Sequence, residues 1–171
     1  MILSLSPEFR NYLSKIYHLR QTASLLQWDQ ETLKPEKATQ QRADVLSTVH
    51  ELIHQCETSI EMKKFIDEFE VKSEPCYENQ RLLYLLKRSY FRETCIPTSL
   101  VKDFAQTISL ANESWIHART NNAYHDFAPL LAKVIQLQKK RAGLIKDALH
   151  LDGTLYNVLL DENEPKMNES K

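Results

Sequence analysis

Apolar residues in this chain recur at steps of three and four, and almost nothing interrupts that period. Ser6-Pro7-Glu8 reads as a helix start. It offers a hydroxyl to cap the first turn, a proline whose missing N–H costs nothing there, and an acid near the positive end of the helix dipole. Phe9, Tyr12, Leu13, Ile16 and Tyr17 carry the period on toward Trp28-Asp29, and Pro35 closes it. A second helix is predicted from near Glu36, with Val45, Leu46, Val49, Leu52, Ile53 and Cys56 as its core stripe. Thr58-Ser59-Ile60-Glu61 has the form of a capping box for a short third helix ending near Phe69, and Val71 to Pro75 reads as a connector. A fourth helix carries Leu82, Leu83, Leu85 and Leu86 and stops before Ile96-Pro97. The fifth holds Leu100, Val101, Phe104, Ile108, Ala111, Trp115 and Ala118 in phase until Asn121-Asn122 breaks it, and Pro129 is expected to open a sixth. Leu155 to Leu160 is a short apolar stretch. With no internal repeat and no β-alternation, the pattern predicts an all-α bundle of about six helices. Several should be long and antiparallel, with short connecting turns. Residues 1–160 read as one domain and 161–171 as a polar tail. Trp115 and the leucine run are assigned to the core.

Glycine scarcity narrows the chemistry. The chain has only Gly143 and Gly153, against a usual share of ~7%. GxGxxG, Walker and GxSxG loops each need several glycines, so nucleotide-binding and serine-hydrolase readings have no support. The net charge of −1 lacks the basic excess of a nucleic-acid binder. Lys139-Lys140-Arg141 is read as a solvated helix face rather than a phosphate site. Cys56, Cys76 and Cys95 are odd in number and widely spaced, which suggests reduced, semi-buried thiols in a cytosolic protein. No apolar run approaches the ~18 residues of a membrane span, and Met1 to Ser6 lacks the form of a signal peptide.

One local motif carries chemistry. His50-Glu51-Leu52-Ile53-His54 spells HExxH. On a helix that spacing puts two imidazoles on one face to bind Zn²⁺, with the glutamate as the base for metal-bound water. Helical phase argues against a working site here. With Val45, Val49, Leu52, Ile53 and Cys56 facing the core, His50 and His54 point to the flank or solvent. A third ligand is also missing. Glu74 is held out of helical geometry by Pro75, nothing singles out Glu78, and His18, His117, His125 and His150 lack metal-type spacing.

The remaining motifs are specific as an ordered set. They are Leu25-Leu26-Gln27-Trp28-Asp29-Gln30-Glu31-Thr32 followed by Pro35; Gln41-Arg42-Ala43 through Glu51-Leu52; and Ile96-Pro97-Thr98-Ser99-Leu100-Val101. Ala111 through Asn121, Phe127-Ala128-Pro129-Leu130-Leu131, and Tyr156 through Met167 complete them. In this order they resemble the N-terminal region of the carboxypeptidase Taq family of zinc metallocarboxypeptidases. Lys166 and Asn163 depart from the family's glycine and tyrosine. The resemblance implies a helical peptidase that removes C-terminal residues from peptides. Its own HExxH and further glutamate ligand lie downstream of any residue here. His50-Glu51-Leu52 then marks the family's second helix, and His54 completes the motif by coincidence.

Three functions follow as expectations. The first is a truncated or split-gene homologue, catalytically incompetent alone. It would have no catalytic residue, metal ligand or cofactor of its own, and would depend on a C-terminal catalytic chain or a homo-oligomer. Peptide substrate would bind only in the assembled form, and apolar helix faces would remain uncovered. The second is a small zinc peptidase with His50 and His54 as metal ligands and Glu51 as base. The third is a non-enzymatic helical interaction module. None involves nucleic acid or membrane.

Overall fold

The computed structural model describes residues 5–165 and 167; Lys166, one of the two departures from the family pattern, lies outside them. Among the described residues the elements are α1 (Pro7–Thr32), a 3₁₀ turn (Glu36–Ala38), α2 (Thr39–Glu57), α3 (Ile60–Lys72), α4 (Tyr77–Thr94), α5 (Thr98–Asn121), α6 (Tyr124–Leu149) and α7 (Leu155–Asn163), with no strand. The all-α expectation holds, with one helix more than about six. No helix among the described residues is long and apolar enough to cross a membrane.

Local chemistry sets most of these boundaries. The Ser6 hydroxyl accepts from the Phe9 amide at 3.1 Å, and Pro7 occupies the first turn of α1. The cap of α3 is Ser59, one residue later than the start of the predicted box, and its hydroxyl accepts from the Met62 amide at 2.9 Å. Asn122 ends α5 at φ 52 in the left-handed region that asparagine tolerates. Pro129 does not open α6 but lies inside it, after a start at Tyr124. It falls early enough in the helix that the bond it deletes belongs to the second turn, where the ladder has barely begun. Residues 161–163 continue α7 rather than leaving it at Leu160.

The packing is an antiparallel succession. α1 lies on α2, α2 on α5, α5 on α6, and α6 carries α7, while α3 and α4 form a side hairpin. α1 buries Phe9, Ile16 and Ala23, a seven-residue seam that covers one narrow edge of a long helix. One core cluster gathers Phe9, Met62, Ile66 and Phe69, with Phe9 stacked on Phe65 at 5.0 Å. The other gathers Ile96, Leu100, Ala142, Ile145 and Val158 where α4, α5, α6 and α7 meet. Trp115 belongs to neither; it is 48% exposed, and Leu85 is exposed as well.

The resemblance motifs fasten the helices together. Asp29 pairs with Arg42, whose other nitrogen donates to the Leu26 carbonyl at 3.3 Å. Gln30 accepts from the Ser109 hydroxyl. Lys34, its side chain buried, joins Glu113 at 3.0 Å and the Thr39 hydroxyl at 2.8 Å. The segment after Leu25 is therefore a three-way lock between α1, α2 and α5.

Candidate functional site

The residues of HExxH lie on α2, but that helix is rotated from the orientation its apolar residues predict. Its buried positions are Ala43, Leu46, Ser47, Ile53, His54 and Glu57. At about 100° per residue this face sits roughly 100° away from the predicted stripe. Val45 and Leu52 are exposed instead. The expectation that both histidines point to the flank or solvent is therefore overturned for His54, which is buried, while His50 is half-buried and lines clefts. α2 is covered by α1 and α5 together, and polar side chains on the covered face find partners there. The Ser47 hydroxyl donates to the Lys102 carbonyl at 3.2 Å, and Glu57 accepts from Arg20 Nε at 3.0 Å.

His54 is 4% exposed. Its Nε2 stands 3.1 Å from the Glu93 carbonyl and its Nδ1 3.1 Å from the Thr98 hydroxyl. A carbonyl only accepts, so Nε2 carries the hydrogen, and in the neutral ring Nδ1 accepts from Thr98. The lone pair a metal would need is thus spent on the corner between α4 and α5. Glu51 Oε2 pairs with Lys102 at 2.8 Å, and Oε1 accepts from Gln55 at 3.4 Å. His50 makes no hydrogen bond to another described residue. Burial pushes its pKa below the usual histidine value, Glu57 opposes that shift, and Arg20 adds to it.

Glu74 and Glu78 are exposed on the α3–α4 connector and the first turn of α4, and His18, His117 and His125 are exposed too. His150 caps α6 in the left-handed region at φ 51. Among the described residues no three His, Cys, Asp or Glu side chains converge as a metal site. With His54 committed to two structural bonds and Glu51 to Lys102, the donor set does not fit zinc.

A set of clefts does converge on this face of α2. Clefts of about 430, 240 and 290 Å³ all reach His50 and Val101. The largest runs between α1 and α2, with Arg20, Glu57 and Glu93 on its walls. The third reaches Arg141 and Glu162. Arg141 holds Glu162 by two bonds of 2.8 and 2.7 Å, which keep the Glu162 carboxyl below the usual range. Among the described residues the Glu93 carboxylate pairs with Arg141 alone, at 3.8 Å, and burial raises its carboxyl above that range. Two further arginines hold α7. Arg92, buried, donates to the Val158 carbonyl at 2.9 Å and to Asp161 at 3.0 Å, and Arg88 donates to Asp161 at 3.0 Å. Arg20, Glu57, Glu93 and Glu162 carried no sequence signal, because each pairs with a residue far along the chain. The solvated face expected of Lys139-Lys140-Arg141 holds for the exposed lysines only; Arg141 is half-buried and paired.

The family model for carboxypeptidase Taq (M32) metallopeptidases matches residues 8–171. The chain belongs to that family. Thermostable carboxypeptidase 1 of Thermus thermophilus is 28% identical over 158 residues, 88% of this chain and 31% of that protein. Carboxypeptidase 1 of Bacillus subtilis is 26% identical over 92% of this chain and 31% of its own length. The BsuCP crystal structure superposes with a TM-score of 0.85 at 26% identity, over 95% of this chain and 32% of that one. The chain thus spans about a third of the length of the M32 carboxypeptidases it matches.

Proposed function

We propose that this chain serves as the N-terminal helical portion of an M32 metallocarboxypeptidase fold and removes no residue from a peptide by itself. It supplies walls and packing surface. The zinc ligands, the base and the hydrolysis of C-terminal residues belong to a C-terminal portion of the fold. The observation that carries this reading is the double commitment of His54. The one HExxH in the chain is built into the α2–α4–α5 junction by hydrogen bonds to Thr98 and to the Glu93 carbonyl. The family match over about a third of each relative supports the same assignment.

The test is a graft of residues 1–171 in place of the matching N-terminal portion of Bacillus subtilis carboxypeptidase 1. The graft is expected to release C-terminal residues from a peptide, and the isolated chain is not. An inactive graft, or a peptidase activity in the isolated chain that disappears in His54→Ala, would refute the proposal.

A further inference from the structure

α7 is the last helix among the described residues, and little apolar surface holds it. It packs chiefly on α6, and its one buried side chain, Val158, sits among Ile96, Leu100, Ala142 and Ile145. Leu155 and Leu159 are partly buried against the same cluster, and Tyr156 is exposed. At 9 residues α7 is shorter than the ~12 that a helix needs to persist alone in water, so it keeps its shape only while docked. The link from α6 turns at two left-handed residues, His150 at φ 51 and Gly153 at φ 85. A β-carbon at Gly153 would stand 2.6 Å from the Asn157 amide, so the turn depends on that glycine. A link of this kind can absorb a hinge rotation.

The remaining fastenings are charged. Asp161 accepts from Arg88 and from Arg92 at 3.0 Å each, Arg92 also holds the Val158 carbonyl, and Arg141 holds Glu162 by two bonds. Arg88 and Arg92 stand on α4 and Arg141 on α6. Guanidinium groups gathered this closely repel one another. Burial holds Arg92 below the usual guanidinium range, Arg88 and Arg141 add to that, and Asp161 and Glu162 oppose it. The other acid at the cluster is Glu93 of α4, 3.8 Å from Arg141. Among the described residues, α7 thus supplies two of the three carboxylates that pair with these arginines. Glu162 also forms part of the wall of the 290 Å³ cleft that reaches Glu93, Leu137 and His50.

We propose that α7 is a charge-latched strap, which swings away about His150–Gly153 while the rest of the bundle stays folded, and whose release opens the Val158 seat and the cleft wall that Glu162 forms. Salt acts on both sides of this equilibrium. It weakens the carboxylate–guanidinium pairs of the docked strap, and it relieves the repulsion among the arginines once the strap has left. Release therefore rises with ionic strength. A helix held by apolar burial alone would not loosen this way, because screening does not act on that term.

Hydrogen exchange of the full chain, read as protection factors at about 0.05 M and about 1 M sodium chloride, tests the strap. In the wild type, α7 amides should lose protection by about threefold or more at high salt, while α2 and α5 amides keep theirs. Glu162→Gln should lower α7 protection about tenfold at low salt and shrink the salt response. Val158→Ala, which trims the apolar seat, should also lower α7 protection but keep the full salt response. Cys95 packs against the same cluster, so its alkylation, resolved from Cys56 and Cys76 by mass spectrometry, should rise with α7 exchange. If α7 amides are as protected as those of α5 in every condition, the strap leaves only when the whole bundle unfolds, and the proposal is overturned. It is overturned as well if sodium chloride leaves α7 protection unchanged, if Val158→Ala abolishes the salt response, or if Cys95 alkylation does not follow α7 exchange.

Discussion

Replacing His54 separates a structural histidine from a metal ligand by stability alone. In His54→Ala the Glu93 carbonyl and the Thr98 hydroxyl each lose their partner at a site where the imidazole is 4% exposed. A buried hydrogen bond is worth about 1 kcal/mol net, and a stranded polar group costs about 1–3 kcal/mol, so with the cavity left by the ring the loss should be about 2–4 kcal/mol. For a chain of this size that is a fall of roughly 5–15 °C in melting temperature. His50→Ala removes a half-buried ring that bonds to no described residue, and should cost below about 1 kcal/mol. Chemical denaturation of the three proteins, each treated with chelator, gives the comparison. If His50→Ala and His54→Ala are equally mild in the chelated protein, and equally severe only when zinc is present, the reasoning is wrong and the two rings share a metal.

Further outcomes follow from other contacts. Thr107 buries its hydroxyl with no partner among the described residues, so Thr107→Val should be neutral or stabilise by about 1 kcal/mol in the same denaturation assay. Arg92→Met removes the donor that holds the Val158 carbonyl and Asp161, and should release α7. Hydrogen exchange should show α7 amides exchanging at least about tenfold faster while α2 and α5 stay protected. The two perturbed carboxyls give opposite pH slopes. Glu162 is lowered by the Arg141 hydrogen bonds, so its contribution is full above the unfolded glutamate pKa and is lost as pH falls through its depressed folded value. Glu93 is raised by burial, so its contribution is full below the unfolded pKa and is lost as pH rises through its elevated folded value. Melting curves against pH should therefore lose the upper decline in Glu93→Gln and the acid decline in Glu162→Gln.

Helix ends were readable because their causes are local. Ser6 caps and Asn122 terminates with chemistry visible within a few residues of each. The rotation of α2 was not readable, because phase analysis assumes that the inward face is the apolar one. Here Ser47, His54 and Glu57 face inward, and each is satisfied by a group 37 to 55 residues away in sequence. Val45 and Leu52, the apolar residues that suggested the other orientation, are surface. Trp115 misled in the opposite sense. Its spacing belongs to a real helical stripe, but at Trp115 that stripe faces solvent, and periodicity cannot tell a covered face from an uncovered one. The paired charges of the clefts were invisible for the same reason as the α2 contacts: Arg141 meets Glu162 across a helix connection and Glu93 from a different helix.

Zinc content tests the central claim most directly. The purified chain, equilibrated with excess zinc, desalted and assayed by elemental analysis, should carry far less than one zinc per chain, and His54→Ala should carry no less than the wild type. One tightly held zinc per chain, lost in both His50→Ala and His54→Ala, would contradict the account and return this α2 motif to the centre of a catalytic site.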